Sequence, residues 1–149
     1  MTHELREGDY TASDDASRVD VDYVHNFLTN SYWSPGIPRT VVERAIANSL
    51  PFVLLDASGK QCGFARVISD RATYAYIADV FVDEAHRGHG LGKLLMRAVL
   101  SHPELQSLRR WMLATRDAHG FYELFGFVEV AHPELHMEIV VPDIYSRGD

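Results

Sequence analysis

The stretch from Tyr74 to Val99 constrains this chain more than any other. Tyr74-Ala75-Tyr76-Ile77-Ala78-Asp79-Val80-Phe81-Val82 is rich in β-branched and aromatic residues and predicts a strand. After a short loop comes Arg87-Gly88-His89-Gly90-Leu91-Gly92-Lys93, and from there Leu91, Leu94, Leu95, Ala98 and Val99 recur at the spacing of an amphipathic helix. A strand, a glycine turn and a helix in that order have the form of an anion site. The first amides of a helix lack intrahelical acceptors and sit at the positive end of its dipole, so they can hold phosphate oxygens. Glycines at 88, 90 and 92 keep Cβ atoms away from a pyrophosphate, while Arg87 and Lys93 add positive charge. A dinucleotide fingerprint would need glycine where Lys93 stands, and a P-loop would need Ser or Thr where Leu94 stands. A glycine-rich connection that binds nothing is the bland alternative.

The rest of the chain supplies elements on either side. After a polar opening, Asp20 can cap a helix running to about Thr29, with Val21, Val24, Leu28 and His25 inward. Ser31 to Pro38 reads as a loop carrying Tyr32 and Trp33. Pro38 suits the first turn of a second helix to about Asn48, with Val41, Val42, Ala45, Ile46 and Leu50 as its apolar stripe. Phe52–Asp56, the turn Ala57–Lys60 and the return Gln61–Ile68 form a hairpin, and a turn at Ser69-Asp70-Arg71 leads into Tyr74–Val82. That gives three sequential antiparallel strands. Downstream lie a buried strand at Trp111–Thr115, a helical segment at Ala118–Leu124 stopped by Gly126, and two last strands, Phe127–Val130 and Met137–Val141. His102-Pro103-Glu104-Leu105 is echoed by His132-Pro133-Glu134-Leu135, too short an echo for a structural repeat. No linker divides the chain, so one α+β domain over residues 1–149 is expected.

Charge and cysteine content narrow the function. The formal charge is −7, and the basic residues cluster only around Arg87 to Lys93 and at Arg109-Arg110, which disfavours a nucleic-acid partner. No window approaches the roughly 18 apolar residues of a membrane span, so no membrane partner is expected. The opening residues lack a secretory pattern and Cys62 stands alone, which makes a cytoplasmic location the expectation. Cys62, beside Gly63 in an apolar strand, reads as packing rather than as a nucleophile. Neither His86 with His89 nor His132 with His136 is joined by an evident ligand set, so no metal is expected. There is no Gly-x-Ser-x-Gly elbow to support a serine ester.

With these residues in view, the sequence resembles the GNAT superfamily of N-acetyltransferases. Its acetyl-CoA signature, Arg or Gln, two residues, Gly, one residue, then Gly or Ala, is matched by Arg87, Gly90 and Gly92. The run Ala118-His119-Gly120-Phe121-Tyr122-Glu123-Leu124-Phe125-Gly126-Phe127 looks like that family's tyrosine-bearing helix. The resemblance implies a mixed, mostly antiparallel sheet flanked by helices, with strands splayed at the acetyl-CoA site. It implies that the pyrophosphate sits on Arg87, Gly88, His89, Gly90, Leu91, Gly92 and Lys93, and that pantetheine pairs with the backbone of Val80, Phe81 and Val82. The thioester would lie between that strand and Trp111–Thr115. A tyrosine in the place of Tyr122 donates a proton to the leaving thiolate, which is chemically reasonable for a phenol near pKa 10 beside a thiol near 8.5. Many relatives carry asparagine where this chain has Asp117, which makes Asp117 a weaker counterpart of a cofactor contact.

The base and the acceptor are less determined. Asp79 is a candidate base because an aspartate inside an apolar strand goes against propensity; a structural hydrogen bond accounts for it equally well, and His25 and His119 are further candidates. Tyr32, Trp33 and Arg39 are candidates for the acceptor pocket, along with Tyr23 and Phe27, and core packing is the alternative for the aromatics. The expected function is direct transfer of acetyl from acetyl-CoA to a primary amine of a small molecule. A sensor that binds acyl-CoA without turnover and a protein or peptide N-acetyltransferase remain alternatives, and a homodimer is one assembly the reading allows.

Overall fold

In a computed structural model describing residues 1–146, six strands form one sheet in the order β1 to β6. They are β1 (Glu4–Glu7), β2 (Tyr10–Ser13), β3 (Leu50–Leu55), β4 (Gln61–Ser69), β5 (Tyr74–Val82) and β6 (Arg110–Leu113). Every neighbouring pair is antiparallel except β5 with β6, which is parallel. The four α-helices are α1 (Val21–Thr29), α2 (Arg39–Ala47), α3 (Leu91–Leu100) and α4 (His119–Glu123). The expected α+β class and the mixed, mostly antiparallel sheet are therefore present.

Strand β3 lies inside the sheet with all six residues buried, and its side chains alternate between two cores. Leu50, Phe52 and Leu54 join a cluster with Leu91, Leu94, Leu95 and Val99 of α3. Val53 and Leu55 join a second cluster with Val24 and Leu28 of α1 and Val42 of α2. Helix α1 starts where the sequence indicates: Asp20 accepts from the Tyr23 amide at 3.1 Å as the N-cap. Pro38 sits one place earlier than expected, as the N-cap of α2, and Leu50 belongs to β3 rather than to the helix.

Strand β5 changes face partway along. Between the pairs Phe64 with Phe81 and Arg66 with Ala78, β5 has one residue more than β4, which makes a β-bulge. Asp79 occupies it with φ +54. Because side chains alternate with a period of two, one extra residue swaps the faces. Ala75 and Ile77 thus point into the α3 core, whereas Phe81 turns to the other side and stacks on Phe27 at 3.7 Å between centroids. The parallel pairing with β6 runs from Tyr74 to Ile77 and stops there, so the two strands splay beyond the bulge.

Two expectations about the ends are corrected. The polar opening is a hairpin, β1 with β2, docked on β3 through Thr11, Ala12 and Ser13. Asp14 pins it, accepting the His3 amide at 2.7 Å and pairing with buried His102 at 2.7 Å. Its strands have four residues and few apolar side chains, so their pairing partners rather than their pattern define them. The strands expected at Phe127–Val130 and Met137–Val141 do not form: neither segment joins a ladder, and a 3₁₀ turn at Pro133–Leu135 separates them. Strand-forming composition makes a strand only where the backbone pairs, and neither segment pairs with β6, whose outer edge is open.

Gly63 illustrates how closely β4 and β5 approach. A Cβ there would fall 2.8 Å from the Phe81 carbonyl oxygen and 3.0 Å from a Leu54 methyl group. Gly63→Ala should therefore lower unfolding stability by about 1–3 kcal/mol, the usual cost of overpacking. Urea denaturation checks this; an unchanged midpoint would contradict the packing described.

Candidate active site

Two cavities lie at the splayed end of the sheet. The smaller, about 210 Å³, is lined by the glycine turn and the start of α3, including Arg87, Gly88, Gly90, Gly92 and Lys93, with Val82 and Phe121 closing it. Gly90 is the N-cap of α3 at φ +71 and Gly88 has φ +89, left-handed values that glycine adopts without steric cost. A Cβ on either would meet no atom within 4 Å, so their surface faces open space. Gly92 differs. Its Cβ would meet the Phe121 ring at 3.2 Å, so this glycine also admits α4 against α3. The Arg87 side chain donates from Nε to the Val82 carbonyl at 3.1 Å, tying the loop to the end of β5. His89 is exposed and stacks on Tyr10, whose hydroxyl bonds His86 Nδ1 at 3.0 Å.

The larger cavity, about 480 Å³, lies in the gap between β5 and β6. Asp79, Val80, Tyr32, Trp33 and Tyr122 all reach it, together with Thr115. Both carboxylate oxygens of Asp79 are engaged: Trp33 Nε1 donates to Oδ1 at 2.9 Å and Arg66 Nε to Oδ2 at 2.9 Å. Arg66 reaches on to the Ser49 hydroxyl at 3.1 Å. Asp79 thus holds the acceptor-side loop and the cross-strand arginine to the bulge.

Tyr122 projects from α4 into the same gap. Burial raises its pKa above the ordinary tyrosine value, with Tyr32 adding to the shift, so the phenol stays protonated through neutral pH. Among the described residues no hydrogen bond engages its hydroxyl. Above Tyr32 sits the Arg116 guanidinium, 3.8 Å from the ring centroid, and the Arg116 amide donates to the Tyr32 hydroxyl at 3.4 Å.

Not every candidate comes to the cleft. Arg39 lies on the outer side of α2, paired with Asp22 at 2.8 Å and with Glu43, and lines neither cavity. Asp117 is exposed beside Arg116 and likewise lines neither. His25 is spent on the Ile37 carbonyl at 3.0 Å, and His119 is exposed. Phe81 contributes its side chain to the α1 core, which leaves its backbone to the strand end. The Cys62 thiol is pushed up to about 12 by burial, in keeping with packing. Sequence reading passed over Arg66, Tyr76 and Arg116. Arg66 carried a signal: a lone charge in the apolar run Cys62 to Ile68, three to four positions from a turn that leads to the equally isolated Asp79.

The Arg66 and Asp79 side chains are only 16% and 10% exposed. Asp79→Asn would leave a buried guanidinium without its counter-charge and should cost about 3 kcal/mol. Chemical denaturation measures this; a loss below about 0.5 kcal/mol, the range of an ordinary surface change, would show that the pair does not anchor the bulge.

Comparison with known proteins bears on this geometry. The family described as "Acetyltransferase (GNAT) domain" matches residues 47–129, which span α2's last residue through the cleft to the end of α4 and just beyond. A crystal structure from Xanthomonas campestris pv. campestris, described as an acetyltransferase of the GNAT family, is 48% identical, covers 92% of this chain and 96% of its own, and has a TM-score of 0.89. An acetyltransferase structure from Deinococcus radiodurans R1 is 25% identical over 95% of this chain and 96% of its own, with a TM-score of 0.73. Among curated sequences, a protein of Gibberella zeae named as an acetyltransferase is 28% identical over 141 residues, 80% of this chain and 77% of its own. By its sequence and by its splayed sheet, this chain belongs to the GNAT acetyltransferase family.

Proposed function

We propose that the protein transfers acetyl from acetyl-CoA directly to a primary amine of a small molecule. The observation that carries this reading is the sharing of two elements by the two cavities. On β5, Val80 lines the cleft and Val82 the glycine-turn cavity; on α4, Tyr122 lines the cleft and Phe121 the glycine-turn cavity. A donor whose pyrophosphate rests on the amides after Gly90 and whose arm follows Val80–Val82 would bring its thioester to Tyr122 in one continuous path.

In this reaction the neutral amine attacks the thioester carbonyl, a C–N bond forms, and the C–S bond breaks. Tyr122 gives its proton to the departing thiolate, and the acceptor nitrogen loses one proton to solvent or to a base. Asp79 acting through water is the proposed base. Its bonds to Trp33 and Arg66 give it a second role, holding the wall of the acceptor pocket. A cleft of about 480 Å³ suits a compact acceptor, and the net charge of −7 would draw cations toward the protein. Tyr32 and Trp33 would supply the aromatic walls, while Arg39, on the outer side of α2, is left without an acceptor role.

Two outcomes follow. A ligand that binds only the native state raises the melting temperature, so millimolar CoA should raise it, and Gly90→Leu, which forces a side chain into φ +71 at the cap of α3, should abolish the rise. An unaltered rise in that variant would remove the glycine turn from donor binding. Tyr122→Phe should keep CoA affinity while lowering kcat on the order of 10²-fold. Because burial raises the phenol's pKa, the fall of wild-type kcat at high pH should lie above the ordinary tyrosine range near pH 10. A variant with wild-type kcat would reduce Tyr122 to packing.

A further inference from the structure

Three charged side chains line the cleft between β5 and β6, and two of them cancel. Asp79 and Arg66 form the buried pair described above, with Asp79 also bound to Trp33 and Arg66 to Ser49. The third is Arg116, directly after Thr115. Among the described residues no hydrogen bond takes up its guanidinium. Its neighbour Asp117 is 3.9 Å away, beyond hydrogen-bonding distance, and both side chains are more than half exposed, where such a pair contributes little. The cleft therefore keeps one positive charge in a chain whose formal charge is −7.

The guanidinium is nevertheless held in place. It lies over the Tyr32 ring, 3.8 Å from the centroid, and this cation–π contact consumes none of its N–H donors. Tyr32 is fixed in turn. The Arg116 backbone amide donates to its hydroxyl at 3.4 Å, and Trp33, edge-on to it at 5.1 Å between centroids, is tied to Asp79. Arg116 lines the cleft and not the glycine-turn cavity, so its charge belongs with the acceptor loop rather than with the pyrophosphate turn.

We infer that Arg116 binds a carboxylate of the acceptor, which makes the acceptor an amino acid, a primary amine and a carboxylate on one small molecule. That its amine is the group acetylated rests on the transfer proposed above; the carboxylate site itself does not. A guanidinium offers a carboxylate two parallel N–H···O bonds. Charge then selects among anions. One uncancelled positive charge balances one carboxylate, whereas a phosphate, nearer two negative charges at neutral pH, leaves an excess against an already acidic chain. A free anion is repelled by the net charge of −7, and the ammonium of a zwitterion offsets that repulsion. Holding the carboxylate at Arg116 orients the amine within the cleft that Tyr122 also lines.

Two measurements on the full chain separate the site from the reaction. In nitrogen-edited proton spectra, the Arg116 Nε–H resonance, identified by its loss in Arg116→Lys, should move on addition of millimolar amino acids and stay in place with their carboxamides. In a thiol-release assay with acetyl-CoA, amino acids of increasing size should each exceed their carboxamides in kcat/KM at equal concentration of neutral amine. The expected ratio is at least about tenfold, the scale of one charge-assisted hydrogen bond, and it should lie in KM. Arg116→Ala, shown to be folded by its far-ultraviolet spectrum, should bring that ratio close to one. A resonance indifferent to every amino acid, carboxamides acetylated as well as the acids, or an acid preference that survives Arg116→Ala would each overturn the inference. So would phosphoethanolamine preferred over every amino acid. A resonance that moves while no acceptor is acetylated would uphold the carboxylate site and overturn the proposed transfer.

Discussion

The functional end of this protein depends on one extra residue in β5. Asp79 in the bulge does three things at once. It reverses which face the following residues occupy, it ends the parallel ladder with β6 at Ile77, and it offers two carboxylate oxygens to Trp33 and Arg66. A left-handed φ at a non-glycine residue costs on the order of 1–2 kcal/mol, and aspartate is among the residue types that accept it most readily. The ion pair and the indole bond offset that strain. Without the bulge, Phe81 would point at α3 instead of stacking on Phe27.

The glycine turn and the cleft are then two consequences of the same strand. Beyond the bulge β5 ends at Val82, Arg87 ties the loop to the Val82 carbonyl, and Gly90 at the cap of α3 leaves the first amides of the helix uncovered. Helix α4, seated against α3 through Gly92 and Phe121, holds Tyr122 over the gap. An anion on the turn and a reacting carbonyl in the cleft would be separated by the length of a strand end. That arrangement suits a donor with phosphates at one end and a thioester at the other.

Much of this was legible in the sequence because it rests on local rules. The apolar period of α3, the Asp20 cap, the β3 to β5 meander and the positive-φ glycines follow from periodicity, capping and turn chemistry. Strand β1 and strand β2 were not legible, because four-residue strands with few apolar side chains are defined by their partners. The strands expected at Phe127–Val130 and Met137–Val141 were read from apolar, β-branched composition, and neither segment joins a ladder. Asp79 drew attention as a charge out of place, and a sequence alone cannot show that Trp33, 46 positions earlier, is the donor that meets it. Arg39 looked equally suited to a pocket, but Asp22 and Glu43 hold it on the far side of α2.

The account centres on direct transfer at the two cavities that β5 and α4 both line. The most direct measurement follows acetyl by mass spectrometry, with labelled acetyl-CoA offered alongside small primary amines and peptides in parallel. The account predicts label on a small amine, free CoA in equal amount, and an unmodified protein chain. Label carried on the protein as an intermediate, peptides acetylated faster than every small amine, or tight CoA binding with no transfer to any acceptor would contradict it.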